Sequence, residues 1–136
     1  MRTILITGAS GGIGGTVASK LLGSGDRVIG IDVQPSGREH PKFTEFTVDL
    51  TDWEALDAFV EQLSKQFGSG IDGIVHCAGV GQTSTLSNTP RELWQRILQI
   101  NLHASIALIQ GLDPLINDSG RIVLFGSGIG IRGNAN

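Results

Sequence analysis

Tyrosine is missing from this sequence altogether, cysteine and methionine occur once each, and aromatic residues make up 5% of the 136. With Cys77 as the lone cysteine there is no internal disulfide framework, which fits a reducing, cytoplasmic setting. No apolar run approaches the roughly 20 residues needed to cross a bilayer. Residues 4–6, followed at once by a polar glycine turn, are too short for the core of a secretory leader. Basic residues never cluster and no aromatic platform alternates with them. With a net charge of −3, this argues against nucleic acid or an anionic membrane as a main partner. His40, His76 and His103 are too dispersed to suggest a metal site, so no metal is expected and each reads as a neutral structural histidine. Asn117-Asp118-Ser119 has the form of a glycosylation sequon, which without an export signal is a coincidence.

What the sequence does have is a 40% apolar content, enough for one domain with a real core, and 20 glycines placed at turns and helix ends. Its organising stretch is the first fifteen residues. Ile4-Leu5-Ile6 reads as a buried parallel strand, Thr7-Gly8-Ala9-Ser10-Gly11-Gly12-Ile13-Gly14 as a glycine turn, and residues 16–22 as a helix. Glycine lets backbone N–H groups approach a phosphate, and a helix start adds partial positive charge. A glycine loop can also be a mere tight turn. Here the strand before it, the helix after it and Asp32 at the end of the next strand favour nucleotide binding.

Further strands are expected over residues 27–32, 42–48, 71–77 and 120–125. Helices are expected over 53–66, capped by Thr51 or Asp52 and stopped by Gly68-Ser69-Gly70, and over about 90–109, with Thr89 as N-cap and Pro90 as first helical residue. This alternation implies an α/β fold, a Rossmann-like doubly wound parallel sheet of five strands in order 3-2-1-4-5 within three α/β/α layers. Residues 1–136 would form a single dinucleotide-binding domain, with its site at the carboxyl ends of the strands. Leu93, Ile97, Ile100, Ala104 and Leu108 make one apolar stripe of the helix over 90–109, while Trp94, Leu98, Leu102 and Ile106 lie on other faces. One side covers the sheet and the other calls for a helix or a second subunit.

Asp32 is placed to accept hydrogen bonds from adenine-ribose hydroxyls and to repel a 2′-phosphate, so NAD is favoured over NADP. Asp49 either meets the adenine amino group or caps the helix after it. Cys77 reads as a small buried hydrophobe. Asn101 is an awkward mid-helix residue, either a satisfied buried amide or a functional one. Ser127, between two glycines at a strand end, is a turn residue or a reactive one.

Together these residues resemble the classical short-chain dehydrogenase/reductase family. Residues 7–14 look like its Thr-Gly-x-x-x-Gly-x-Gly cofactor loop, although Gly8, Gly11 and Gly14 also fit the loop of extended relatives such as nucleotide-sugar epimerases. Asp49-Leu50 resembles its adenine contact. His76-Cys77-Ala78-Gly79 is similar to its Asn-Asn-Ala-Gly motif with both asparagines replaced. Asn101 falls at its relay asparagine, and Gly120-Arg121-Ile122-Val123 with Gly126-Ser127 looks like its catalytic-serine strand. The resemblance implies an oxidoreductase that transfers hydride between NAD and a small alcohol or carbonyl. Gly8, Ser10, Gly11, Gly12, Ile13, Gly14, Asp32, Val33, Asp49, Leu50, Cys77, Ala78 and Gly79 would bind the cofactor, Ser127 would orient substrate, and Asn101 would hold a relay water. The family's Tyr-x-x-x-Lys pair, its general acid/base and the lysine that lowers its pKa, has no counterpart in these residues. The sequence therefore reads as the cofactor-binding part of such an enzyme, inactive by itself. The alternative is a non-catalytic dinucleotide-binding or regulatory module, and a weaker one is a pseudo-enzyme that works by association.

Overall fold

The computed structural model describes residues 1–68 and 70–132, so Ser69 of the expected helix stop lies outside the described residues. Five strands form one parallel sheet in the order β3-β2-β1-β4-β5: β1 (Thr3–Thr7), β2 (Arg27–Asp32), β3 (Phe43–Thr47), β4 (Ile71–His76) and β5 (Ile116–Leu124). The order is the one that the β-α-β alternation implies. β1 is central because its residues pair on both sides, Thr7 lying level with Ile31 of β2 and with His76 of β4. Their buried, β-branched side chains stabilise both layers at once.

Side chains alternate across this sheet. Ile4, Ile6 and Val28 pack against Ala18 and Leu22 of α1 (Gly12–Gly23). Leu5, Ile29, Ile31 and Ile74 pack on the other face, against Leu56, Phe59 and Leu63 of α2 (Trp53–Phe67) and Ala104, Leu108 and Leu112 of α4 (Ala104–Leu112). At the amino ends of the strands Asp26 receives Arg2, with Nη2 2.6 Å from Oδ2, and Asp72 receives the Thr3 N–H at 2.7 Å. The carboxyl ends are left for the site.

Four local features differ from the sequence reading. α1 begins at Gly12 and not Thr16, because glycines that look like loop have entered the helix. α3 (Arg91–Leu98) begins after Pro90, which is itself the cap residue with ψ 149°. Thr89 does not cap it, since its hydroxyl donates to the Thr85 carbonyl at 3.0 Å. The single helix over 90–109 is instead α3, a π-helical turn at Gln99–His103, and α4. Asparagine in mid-helix prefers partners outside the helix, and at this turn Asn101 reaches across to Val80. β5 starts at Ile116, four residues early: its ladder with β4 jumps from Ile71↔Ile116 to Gly73↔Arg121, so turn-like Asn117–Gly120 is absorbed as an irregularity within the strand. A last short helix, α5, covers Ile129–Arg132. No described helix is long and apolar enough to cross a membrane.

Candidate cofactor site

The carboxyl ends of β1, β2 and β4 enclose a cavity of about 360 Å³ lined by Gly8, Gly11, Gly12, Ile13, Gly14, Asp32, Val33, Asp49, Leu50, Cys77, Ala78 and Gly79. Every cofactor-binding residue expected from the sequence is thus brought to one place, except Ser10. That residue is absent from the lining: its N–H donates to Asp32 Oδ2 at 3.0 Å and its hydroxyl to the Gln34 carbonyl at 2.6 Å. Val80, within the Ala78–Gly81 stretch expected at the end of β4, lines it too, and Ile31, Val48, Arg96 and Ile100 also line the cavity although the sequence does not mark them as site residues. Their aliphatic or helical setting carries no local motif, and only tertiary packing brings them there.

The glycine loop is held by contacts that leave no room for side chains. Gly8 has φ +66°, and a Cβ there would sit 2.8 Å from the Ala78 nitrogen. A Cβ on Gly14 would sit 2.1 Å from the Gly8 carbonyl oxygen. Gly12 is different: a Cβ there meets nothing within 4 Å, so its position opens onto the cavity. Gly11 caps α1 without any side-chain hydrogen bond, and the first turn has no acidic residue. Gly15 N–H reaches the Gly11 carbonyl at 2.7 Å, while among the described residues no protein acceptor meets the N–H groups of Gly12, Ile13 or Gly14. Three such donors at a helix start can receive an anion.

Thr7 ties the loop to its neighbours. Its hydroxyl oxygen accepts the Ala78 N–H at 2.9 Å and lies 2.9 Å from Nδ1 of buried His76. Burial pushes the His76 pKa below its ordinary value, so the ring is neutral near pH 7. A histidine with a depressed folded pKa contributes stability above its unfolded pKa and loses it as pH falls. Stability should therefore decline below pH ~6.5 by up to about 1.4 kcal/mol per pH unit. His76→Asn should flatten that decline in urea unfolding between about pH 5 and 7; an unchanged slope would place the titration elsewhere. Burial likewise pushes the neighbouring Cys77 thiol up, keeping it protonated and unsuited to act as a nucleophile.

Asp49, also in the lining, accepts the Thr51 N–H and hydroxyl on Oδ1, both at 2.8 Å. These bonds, with Arg96 adding positive charge, hold its carboxyl below the usual carboxylate range. Asp49 does not cap α2: Asp52 does, accepting the Ala55 N–H at 3.1 Å. The second carboxylate oxygen of Asp49 is left without a partner among the described residues.

The two expected catalytic residues stand apart from this cavity lining. Asn101 is solvent-exposed, and its amide is used on both sides, Oδ1 accepting the Val80 N–H at 2.9 Å and Nδ2 donating to the Val80 carbonyl at 2.8 Å. Ser127 follows the carboxyl end of β5, where its carbonyl accepts the Gly130 N–H at 3.1 Å. Among the described residues no three His, Cys, Asp or Glu side chains gather closely enough to hold a metal.

The family profile described as short chain dehydrogenase matches residues 2–136. "Short chain dehydrogenase andC" of Emericella variicolor is 34% identical over 138 residues, covering 97% of this chain and 55% of that protein. "Short-chain dehydrogenase/reductase cdmF" of Talaromyces verruculosus is 33% identical, with 97% and 54% covered. The chain thus spans about half the length of the curated relatives it matches. Among solved structures, a short chain dehydrogenase family protein from Francisella tularensis superposes with a TM-score of 0.86 at 29% identity, over 93% of this chain and 51% of that one. The short chain dehydrogenase from Leptospira borgpetersenii with bound NAD+ shares the fold at a TM-score of 0.90 and 24% identity, over 98% and 54%.

Proposed function

Because the chain belongs to the short-chain dehydrogenase/reductase family of oxidoreductases, we propose that residues 1–136 are the NAD-binding portion of an enzyme that interconverts an alcohol and a carbonyl on a small molecule. The observation that carries this reading is the start of α1, where Gly12, Ile13 and Gly14, whose N–H groups have no protein acceptor among the described residues, line the cavity. They suit a pyrophosphate. Asp32 and Asp49 suit the hydroxyls and amino group of an adenosine.

The bound nicotinamide would supply or accept the hydride. The chain's own residues bind and orient. Gly12–Gly14 donate to phosphate oxygens, Asp32 accepts from the ribose hydroxyls, and the free oxygen of Asp49 accepts from the adenine amino group. Asp32 also makes a 2′-phosphate unwelcome, and Arg38, a basic residue on the loop after β2, is engaged elsewhere: it donates to Ser19 Oγ at 2.8 Å and to the Gly15 carbonyl at 3.0 Å. NAD is therefore the better fit. By family resemblance Ser127 orients the substrate oxygen. Asn101, with both ends of its amide on Val80, acts as a positioning residue for the loop after β4. With no tyrosine among the 136 residues, the family's Tyr-x-x-x-Lys pair is not among them, and these residues alone are expected to bind NAD without turning substrate over.

The same lack supports a second reading, a non-catalytic dinucleotide-binding module. Thermal unfolding addresses what both readings share: at a hundredfold excess over its dissociation constant, NAD should add about 2.7 kcal/mol of stability. An unmoved unfolding midpoint would remove both. Reduction of NAD by alcohols, assayed with a longer chain that includes a Tyr-x-x-x-Lys helix, separates enzyme from module.

Self-association fits the surface as well, in a reducing cytoplasm. Trp94, Leu98, Leu102 and Ile106 recur at every fourth residue and are 42%, 41%, 48% and 46% exposed. A continuous stripe of this kind favours a second copy over solvent. Leu98→Lys is expected to shift sedimentation equilibrium toward monomer by at least tenfold in dissociation constant, about 1.4 kcal/mol. A wild-type chain that is already monomeric at high concentration would contradict the stripe's role.

A further inference from the structure

We infer that Arg96 is an adenine-binding residue, its guanidinium plane lying on the purine face of the dinucleotide beside Asp49. This rests on the reading of the cavity as a dinucleotide site and extends it to a residue that neither motif nor resemblance singles out. Arg96 is exposed on α3 and lines the cavity together with Asp49 and Ile100. It also borders an adjoining recess with Thr51, Trp53 and Gln99, so its side chain forms the wall between the two. Among the described residues lining the main cavity it is the one basic side chain.

Its charge has no other employment. Among the described residues the Arg96 guanidinium makes no hydrogen bond and no ion pair, its backbone carbonyl alone accepting the Gln99 N–H, and Asp49 already accepts two bonds from Thr51. Yet it lines the same cavity as that carboxylate, and its positive charge helps to hold the Asp49 carboxyl low. The pyrophosphate has its own donors at the start of α1. The cavity that Asp49 and Arg96 share is also lined by aliphatic Val48, Leu50 and Ile100. A flat purine suits such a lining. A planar, weakly hydrated cation at its edge adds a stacking and cation–π contact that an ammonium cannot reproduce in full.

The test is calorimetric competition with two probes, NAD and adenosine, on the wild type and on R96A and R96K. Adenosine carries the base without any phosphate. R96A is expected to weaken both probes by a similar factor, about three- to thirtyfold, with R96K recovering only part of the loss. Urea unfolding should show unchanged midpoints for both variants, since the side chain is exposed. Equal binding of both probes by R96A and wild type would overturn the inference. So would a loss confined to NAD, which would assign Arg96 to the phosphates. A wild-type chain that binds neither probe would overturn the dinucleotide reading, and this inference with it.

Discussion

Gly14→Ala is expected to abolish NAD binding and to cost the fold about 3 kcal/mol or more. Its Cβ would lie 2.1 Å from the Gly8 carbonyl oxygen and 2.8 Å from its carbonyl carbon. Both are backbone atoms, so the loop has to move as a whole. Gly12→Ala should behave in the opposite way on stability. It is the first residue of α1 and its Cβ meets nothing within 4 Å. Alanine outranks glycine in helices by up to about 1 kcal/mol, so the urea midpoint should hold or rise slightly. NAD affinity should nevertheless fall at least tenfold, about 1.4 kcal/mol, because the methyl group occupies the space through which a pyrophosphate approaches the orphan N–H groups. Urea unfolding and calorimetry on both variants give a two-by-two pattern. A Gly12→Ala variant that binds NAD as well as the wild type would mean that the start of α1 is not the phosphate site.

The second large effect belongs to Asp32. Charge-assisted hydrogen bonds to ribose hydroxyls are worth about 1.5–3 kcal/mol, so Asp32→Asn should weaken NAD by roughly ten- to a hundredfold. NADP should lose less or gain, because the repulsion against its 2′-phosphate goes with the charge. The substitution is asparagine and not alanine for a structural reason. Asp32 also accepts the Ser10 N–H on Oδ2 at 3.0 Å and the Gln34 N–H on Oδ1 at 3.2 Å. An amide keeps one acceptor for the loop, whereas alanine would confound recognition with collapse. The quantity to follow is the ratio of the two dissociation constants. An unchanged ratio would mean that Asp32 serves only to pin the glycine loop to β2.

The strands were legible because a parallel sheet buries both faces of each one, which turns Ile4-Leu5-Ile6 or Ile29-Gly30-Ile31 into unbroken apolar runs. The glycine loop was legible for a related reason: its glycines are required by backbone contacts that no other residue allows. Legibility failed where the cause is remote. Nothing near Asn101 in the sequence shows that Val80, 21 residues earlier, occupies its amide and accompanies a π-helical turn. Asp49, Thr51 and Asp52 all stand where they could cap α2, and only the Asp52 bond to Ala55 decides among them. The start of β5 was hidden because Asn117-Asp118-Ser119-Gly120 has turn chemistry, yet pairing with β4 overrides it. Arg96 went unseen because an arginine on a polar helix face carries no mark of the cavity beside it.

The central claim is that the carboxyl ends of the strands hold a dinucleotide with its phosphates on α1 and its ribose on Asp32. Isothermal titration of the chain with NAD, and separately with NADP, tests it most directly. The account predicts one NAD per chain, bound at least tenfold more tightly than NADP, a difference of about 1.4 kcal/mol. Absence of any NAD binding, or tighter binding of NADP, would contradict it.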